Sequence, residues 1–245
     1  MDRYADVFNV RGHKYDAAMR AYPTARDEEF RQLFKGVDTG PLKRVFDLPS
    51  GGGYLHRFIA ADAQLVQFDP SAGFATQGVL PVDLENPELP TPGADLIVSL
   101  AALHHVANKT GFLEASLAAL KPGGWLCIGD VAAGSDIARF LDQFVGMHNG
   151  MGHSGDYLDP ESSEFQKVAQ QQATLVRCDV APCPWRFADT DDLAGFCRSL
   201  FGLLAVDDES LLKALDAQVG IATDAAGVSL EWELLYLQYR KQIDA

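Results

Sequence analysis

The sequence predicts an α/β fold: a mostly parallel seven-stranded sheet with helices on both faces, preceded by N-terminal helices and carrying a helical and loop-rich cap. Three observations predict it. Short apolar runs alternate with helical patterns between residues 44 and 131, the rhythm of strands joined by crossover helices. Ala94–Leu100 is almost continuously apolar, as suits a strand buried on both faces. Glycine and proline clusters punctuate the runs where turns are needed.

Residues 13–36 read as helical with an interruption at Pro23. Thr24 is placed to cap a second helix whose first turn holds Asp27, Glu28 and Glu29, where carboxylates suit the helix dipole. Phe30, Leu33 and Phe34 give that helix a buried face. Gly36 and the run Asp38-Thr39-Gly40-Pro41 end it. Arg44–Leu48 is the first strand, followed by a glycine-rich turn and a helix over Tyr54–Ala61. Gln64–Phe68, Gly78–Val82 and Ala94–Leu100 are the next three strands. A helix over Thr110–Leu120, with Thr110 as a possible cap, leads through Lys121-Pro122-Gly123-Gly124 into a fifth strand, Trp125–Val131. Beyond 134 the rhythm changes. Ile137, Phe140, Leu141, Phe144 and Val145 mark an amphipathic helix. Gly146, Gly150, Gly152 and Gly155 then exclude a regular helix. Residues 174–187 look extended, Thr190–Phe201 and 208–218 helical, and Ser229–Tyr239 reads as a closing strand. The expected organisation is an N-terminal helical segment (1–43), a ligand-binding half of the sheet (44–133), a cap or substrate segment (134–227) and the closing strand (228–245).

Composition narrows the function. The 245 residues include 34 acidic and 20 basic side chains, a net charge of −14 that disfavours phosphate-backbone partners. With 47% apolar and 22% charged residues the chain is expected to be globular. Residues 1–44 carry nine basic and seven acidic side chains, so the acidity lies in the body. No run approaches the ~20 apolar residues of a membrane span, and the start lacks a signal-peptide pattern. Cys127, Cys178, Cys183 and Cys197 form no CxxC pair and read as reduced thiols. A cytoplasmic protein, monomer or homodimer, is the expectation, with no nucleic acid or membrane partner.

The informative stretch is Val45-Phe46-Asp47-Leu48-Pro49-Ser50-Gly51-Gly52-Gly53-Tyr54-Leu55. A strand runs into glycines and then a helix, which lets backbone approach a ligand and offers free N–H groups. Asp69 ends the next strand, where a carboxylate can accept both hydroxyls of a ribose. Together these point to a nucleoside-containing ligand on a Rossmann-like sheet.

In this pattern the chain resembles class I S-adenosylmethionine-dependent methyltransferases. Asp47 matches the family's first acidic residue, and Gly51 and Gly53 its second and third glycines; Pro49 stands at the first and has no N–H to give. The segment Val82-Asp83-Leu84-Glu85-Asn86 resembles the acidic loop that meets adenine. Asp95–Leu100 followed by Ala101-Ala102-Leu103-His104-His105 resembles the fourth strand and its trailing histidines, and Leu120–Leu126 the turn before the fifth strand. The matches run in family order across roughly 44–131. The resemblance implies S-adenosyl-L-methionine as cofactor, with Asp47, Pro49, Gly51, Gly53, Asp69, Asp83, Leu84 and Leu100 around it. Asp47 is open to two roles, meeting the ammonium end or bracing the glycine loop.

Methyl transfer is an in-line displacement in which the protein chiefly aligns two partners. His104 and His105, at the carboxyl edge of the sheet, are the candidate bases, the alternative being a structural role. His148 and His153 in the glycine-rich loop, with Trp185, are candidate substrate contacts. Neither histidine forms a recognised ligand pattern with Asp156, so no metal is expected. Tyr15, Arg20 and Arg26 can cover an anionic group or form a solvated helix face. The cap's Trp185 and Phe187 favour a partly apolar small-molecule acceptor. Two alternatives stay open: a non-catalytic binder of the nucleoside, permitted by Pro49, and an NAD-dependent oxidoreductase, disfavoured by His56 where the dinucleotide fingerprint needs a small residue.

Overall fold

The computed structural model describes residues 3–74, 77–91, 93–159 and 163–243. Its centre is a six-stranded sheet of β1 (Arg44–Asp47), β2 (Gln64–Gln67), β3 (Ala94–Leu100), β4 (Leu120–Asp130), β5 (Ala173–Pro182) and β9 (Glu233–Lys241), in the order β2-β1-β3-β4-β9-β5. The first four strands are parallel, and β9 runs antiparallel to both β4 and β5. A second, antiparallel sheet joins β6 (Trp185–Phe187), β8 (Gly227–Leu230) and β7 (Ile221–Asp224).

Side-chain alternation along the strands splits the core in two. Val45, Leu96, Val98, Cys127 and Tyr236 face one layer, packed by α1 (Tyr4–Ala21), α2 (Asp27–Leu33) and α7 (Thr190–Phe201). Phe46, Ile97, Leu126, Ile128 and Leu237 face the other, packed by α3 (Lys109–Ala119) and α6 (Ser163–Gln172). Of these strand residues, all but Leu237, at 3%, are fully enclosed.

Several elements differ from expectation, each for a local reason. The sheet has six strands, not seven: the strand predicted over Gly78–Val82 reduces to a single bridge, Phe68 to Leu80. Gly78 has φ 86°, and Pro81 lacks the N–H a ladder needs. The helix predicted over Tyr54–Ala61 is one tight turn, Tyr54–Arg57. The first helix begins at Tyr4 rather than 13. Thr24 does not cap α2, whose preceding residue Arg26 makes no side-chain capping bond. Asn108, not Thr110, caps α3, its side-chain oxygen accepting from the Gly111 N–H at 3.1 Å. The amphipathic helix after 134 comprises α4 (Asp136–Arg139), a wider π-helical turn over Phe140–Val145 and α5 (Gly146–His148). The closing strand is two strands in different sheets, and β5, from the segment expected as cap, lies in the main sheet. Helix α8 (Asp208–Gln218) is capped by Asp207. All four cysteines are free thiols; Cys178 alone is exposed. Among the described residues no helix is long and apolar enough to cross a membrane.

Candidate functional site

Three concavities meet at the carboxyl edge of β1–β4. The central cleft, open to solvent, is walled by Asp47, Pro49, Ser50, Gly51, Tyr54, Phe74, Leu100 and Ala101, with Tyr4, Phe8 and Tyr15 from α1 across it. A shallow bay bounded by Gly51, Asp69, Ser71, Ala72, Phe74 and Val79 continues it at one end. At the other end, Phe8, Tyr15, Arg26 and Ala101 are shared with a third, mainly apolar pocket.

The glycine turn is built as the sequence pattern demands. Gly51 and Gly53 have φ of 51° and 79°, which L side chains rarely adopt. The Leu48–Pro49 peptide is cis. The Asp69 carboxylate accepts from the Gly51 N–H at 2.8 Å, the Ser71 N–H at 2.8 Å and the Tyr4 hydroxyl at 3.3 Å. Burial nevertheless raises its pKa to about 6, those bonds offsetting only part of the desolvation. Asp47 is buried beside it, and burial and the Asp69 charge push its carboxyl well above the ordinary range. Its Oδ2 has no hydrogen-bond partner among the described residues.

That unpartnered oxygen is the test of fit for the expected cofactor. A buried carboxylate oxygen lining a cleft wants a cationic donor. The ammonium end of S-adenosylmethionine is one, and the bay bounded by Gly51 and Asp69 adjoins the same cleft. Not every predicted contact lines these walls. Gly53 packs against Gln67, where an added Cβ would come within 2.7 Å of the amide nitrogen. Asp83 is exposed and closes a turn by accepting from the Glu85 N–H at 3.0 Å, and Leu84 is a core residue at 4% exposure.

The third pocket gathers residues distant in sequence: Arg11, His104, His105, His153, Trp185, Phe201 and Trp232. Ala101, at φ 53°, turns the chain out of β3 into the short helical turn Leu103–His105. The fully buried Asp130 carboxylate organises that turn. It accepts from the N–H groups of Ala102 (3.0 Å), Leu103 (2.6 Å) and His104 (3.3 Å), and from His104 Nδ1 at 2.6 Å. Despite burial, its pKa is lowered by the His104 imidazole and these bonds. His153 comes in from the glycine-rich loop with Nδ1 3.1 Å from Asp142, which also accepts from the Tyr157 hydroxyl at 2.6 Å. Burial lowers the His153 pKa to about 4. His148 lies outside this pocket, against the Phe144 ring at 4.6 Å. Trp185 is inside it, 1% exposed, its indole N–H donating to Glu29 at 2.7 Å.

Arg26 is not on a solvated face. It is 7% exposed and pairs with Glu29 through Nε (3.0 Å) and Nη2 (2.7 Å), donates to the Tyr15 hydroxyl and lies 5.0 Å from the Trp185 ring. Arg20 is the exposed one, at 70%. Sequence reasoning missed Tyr4, Phe8 and Arg11 on α1, and the anchors Asp130 and Asp142. A signal for Asp130 existed: it ends β4 at the same carboxyl edge that singled out the histidines.

The profile of a methyltransferase domain matches residues 18–171, more than half of the chain. The chain belongs to the methyltransferase domain family. Family and S-adenosylmethionine-dependent fold thus agree with the expectation from the motifs. Trans-aconitate 2-methyltransferases of Mycobacterium tuberculosis and Mycobacterium bovis are 31% identical over 119 residues, a stretch covering 44% of this chain and 44% of theirs. The chain thus matches under half the length of these curated relatives. A SAM-dependent methyltransferase from Thermotoga maritima, described as a possible histamine N-methyltransferase, superposes with TM-score 0.60 at 14% identity, over 97% of this chain and 99% of that one. YcgJ from Bacillus subtilis gives TM-score 0.58 at 14% identity, over 89% of this chain and 100% of that one. These structures share the fold.

Proposed function

We propose that the protein transfers a methyl group from S-adenosylmethionine to a small organic acid. The observation that carries this reading is the wall shared by the two cavities: Phe8, Tyr15, Arg26 and Ala101 line both the cofactor cleft and the apolar pocket. Two reactants seated in these adjoining cavities are brought together as an in-line displacement requires. The cofactor supplies the activated methyl group; the chain's residues bind, orient and exclude water. Asp47 meets the ammonium end, Asp69 the ribose hydroxyls and Gly51 the close backbone approach.

The pocket's polar groups support an acidic acceptor. Its lining holds no carboxylate, but two arginines and three histidines. Arg26 is neutralised by Glu29. Arg11 has no ion pair among the described residues; its Nη2 donates to the Leu200 carbonyl at 2.6 Å and its buried Nε has no partner. Burial lowers its pKa to about 10, still cationic at neutral pH. An acceptor carboxylate would complete that guanidinium, with the apolar remainder against Trp185, Phe201 and Trp232. The relatives' name, trans-aconitate 2-methyltransferase, fits this chemistry. A carboxylate acceptor is already ionised and needs no general base, so in this reading His104 positions the turn through Asp130.

The test is a screen of small mono- and polycarboxylic acids with the full chain and S-adenosylmethionine, following S-adenosylhomocysteine by mass spectrometry. Turnover with carboxylates, and none with their amides, supports the reading. Cofactor binding without turnover on any acid, or preferred turnover of cationic amines, overturns the acceptor assignment. Absence of cofactor binding overturns the whole.

A further inference from the structure

We infer that His104, His105 and His153 form a binding site for a divalent transition cation of the zinc class, with one coordination position open to the acceptor pocket. Each histidine offers a ring nitrogen, and the three lie within 4.8 Å of one another. They come from two separate elements: the turn after β3 and the glycine-rich loop that follows α5. The ring centroids are 4.2, 5.4 and 5.8 Å apart.

The carboxylates behind the rings make the arrangement specific. His104 Nδ1 sits 2.6 Å from Asp130 and His153 Nδ1 sits 3.1 Å from Asp142. A carboxylate accepts, so in each neutral ring Nδ1 carries the proton and Nε2 keeps its lone pair. Carboxylate, imidazole and cation in line is how proteins orient metal-binding histidines. Asp130 is itself held through its other oxygen by three backbone N–H donors, so the carboxylate that orients His104 is fixed in place. The two carboxylates also supply negative charge beside a site whose rings are neutral ligands.

Tetrahedral zinc with bonds of about 2.1 Å needs its nitrogens about 3.4 Å apart. The cluster must therefore contract by at most roughly 1.4 Å. His153 stands on the segment that can supply this, because Gly150, Gly152 and Gly155 surround it and Gly152 already has φ 77°. Three protein ligands leave a fourth position, and all three histidines line the pocket proposed for the acceptor. An anionic oxygen of the acceptor suits that position, with Arg11 on the same wall for a second anionic group. The cation site itself does not rest on the methyl-transfer reading, since metal content is measured without acceptor or cofactor.

The experiment uses the full chain without a histidine tag, stripped with a chelator and desalted. Zinc content after equilibration is measured by plasma mass spectrometry, and Co²⁺ is titrated while the visible ligand-field bands are followed. One ion per chain and tetrahedral-type Co²⁺ bands are expected. His153→Ala should abolish both, and Asp142→Asn should weaken affinity 10- to 100-fold. Variant folding is checked by circular dichroism. Should His153→Ala not fold, protection of the wild-type histidines by Zn²⁺ against diethylpyrocarbonate decides instead, three protected rings being expected. No bound ion above the chelated control, binding unchanged in His153→Ala, or no protection would overturn the inference.

Discussion

Acid should weaken cofactor binding through Asp69. Its carboxyl is raised from an ordinary 3.8 to about 6 because it is buried. Ribose hydroxyls donating to it would favour the ionised form, so binding is coupled to loss of the proton. Below about pH 6 each further unit leaves about ten times less of the free protein with Asp69 ionised, and the Kd of S-adenosylhomocysteine should climb towards tenfold per unit. Above pH 6 this contribution levels off, leaving whatever Asp47 adds, since its carboxyl is raised further by burial and by the Asp69 charge. Asp69→Asn removes the step between about pH 5 and 6 and weakens binding by roughly 10- to 100-fold, one charge-assisted hydrogen bond being worth about 1.5–3 kcal/mol. Stability follows the opposite course. A carboxyl whose pKa is higher folded than unfolded contributes fully below the unfolded value and loses that contribution as pH rises through about 6. The difference between 3.8 and about 6 corresponds to roughly 3 kcal/mol, so the cofactor-free protein gains from Asp69 at the acid end of that window. Titration calorimetry across this range, in two buffers of different ionisation enthalpy, reads both affinity and protons released. A wild-type Kd that stays flat from about pH 6.5 to 5, or an Asp69→Asn protein with the wild-type slope, would refute the reasoning.

Glu29→Ala leaves the Arg26 guanidinium buried without its carboxylate and the Trp185 indole N–H without its acceptor; a loss of about 3–5 kcal/mol is expected, read by denaturant unfolding. Gly73→Ala puts a Cβ into the Phe8 carbonyl oxygen, which is backbone and cannot rotate away. It should cost about 1–3 kcal/mol and also raise the cofactor Kd, because Phe8 and Phe74 line the cleft. Arg11→Gln should raise KM for a carboxylate acceptor by about tenfold while the Kd of S-adenosylhomocysteine, whose cleft Arg11 does not line, stays within twofold in calorimetry. A fall in kcat with KM unchanged would place Arg11 outside acceptor binding.

The strands that carry the central cleft were legible because their signal is local. Val45–Asp47, Gln64–Gln67 and Ala94–Leu100 are short runs whose apolar residues face two cores, and the glycine turn sits between the first two. Gly78–Val82 carries the same apolar signal but not the hydrogen bonds, because proline and a positive-φ glycine break its edge. Ser229–Tyr239 looked like one strand because both its parts are buried; its division at Glu231–Trp232, with the halves in different sheets, is a tertiary event. The acceptor pocket was less legible for the same reason. His153 meets His104 across 49 positions, and Trp185 meets Glu29 across 156, so no spacing along the chain announces either contact.

The first helix shows how a local signal can be present and still be missed. Tyr4, Phe8, Arg11 and Tyr15 recur at intervals of four, three and four, one face of a helix. The stripe holds only three rings and a charged residue, a signal too sparse to mark the start of a helix at Tyr4. In the fold this face lines both cavities: Tyr4 reaches Asp69, Phe8 and Tyr15 stand on the shared wall, and Arg11 lines the apolar pocket. The helix is held there by the approach of Gly12 to Gly73, where an added Cβ on either residue would strike backbone. The central cleft and the apolar pocket therefore share one helix as a wall. A displacement of α1 must alter Phe8 in both cavities at once, which is why Gly73→Ala, outside the acceptor pocket, is expected to change acceptor KM as well as cofactor Kd.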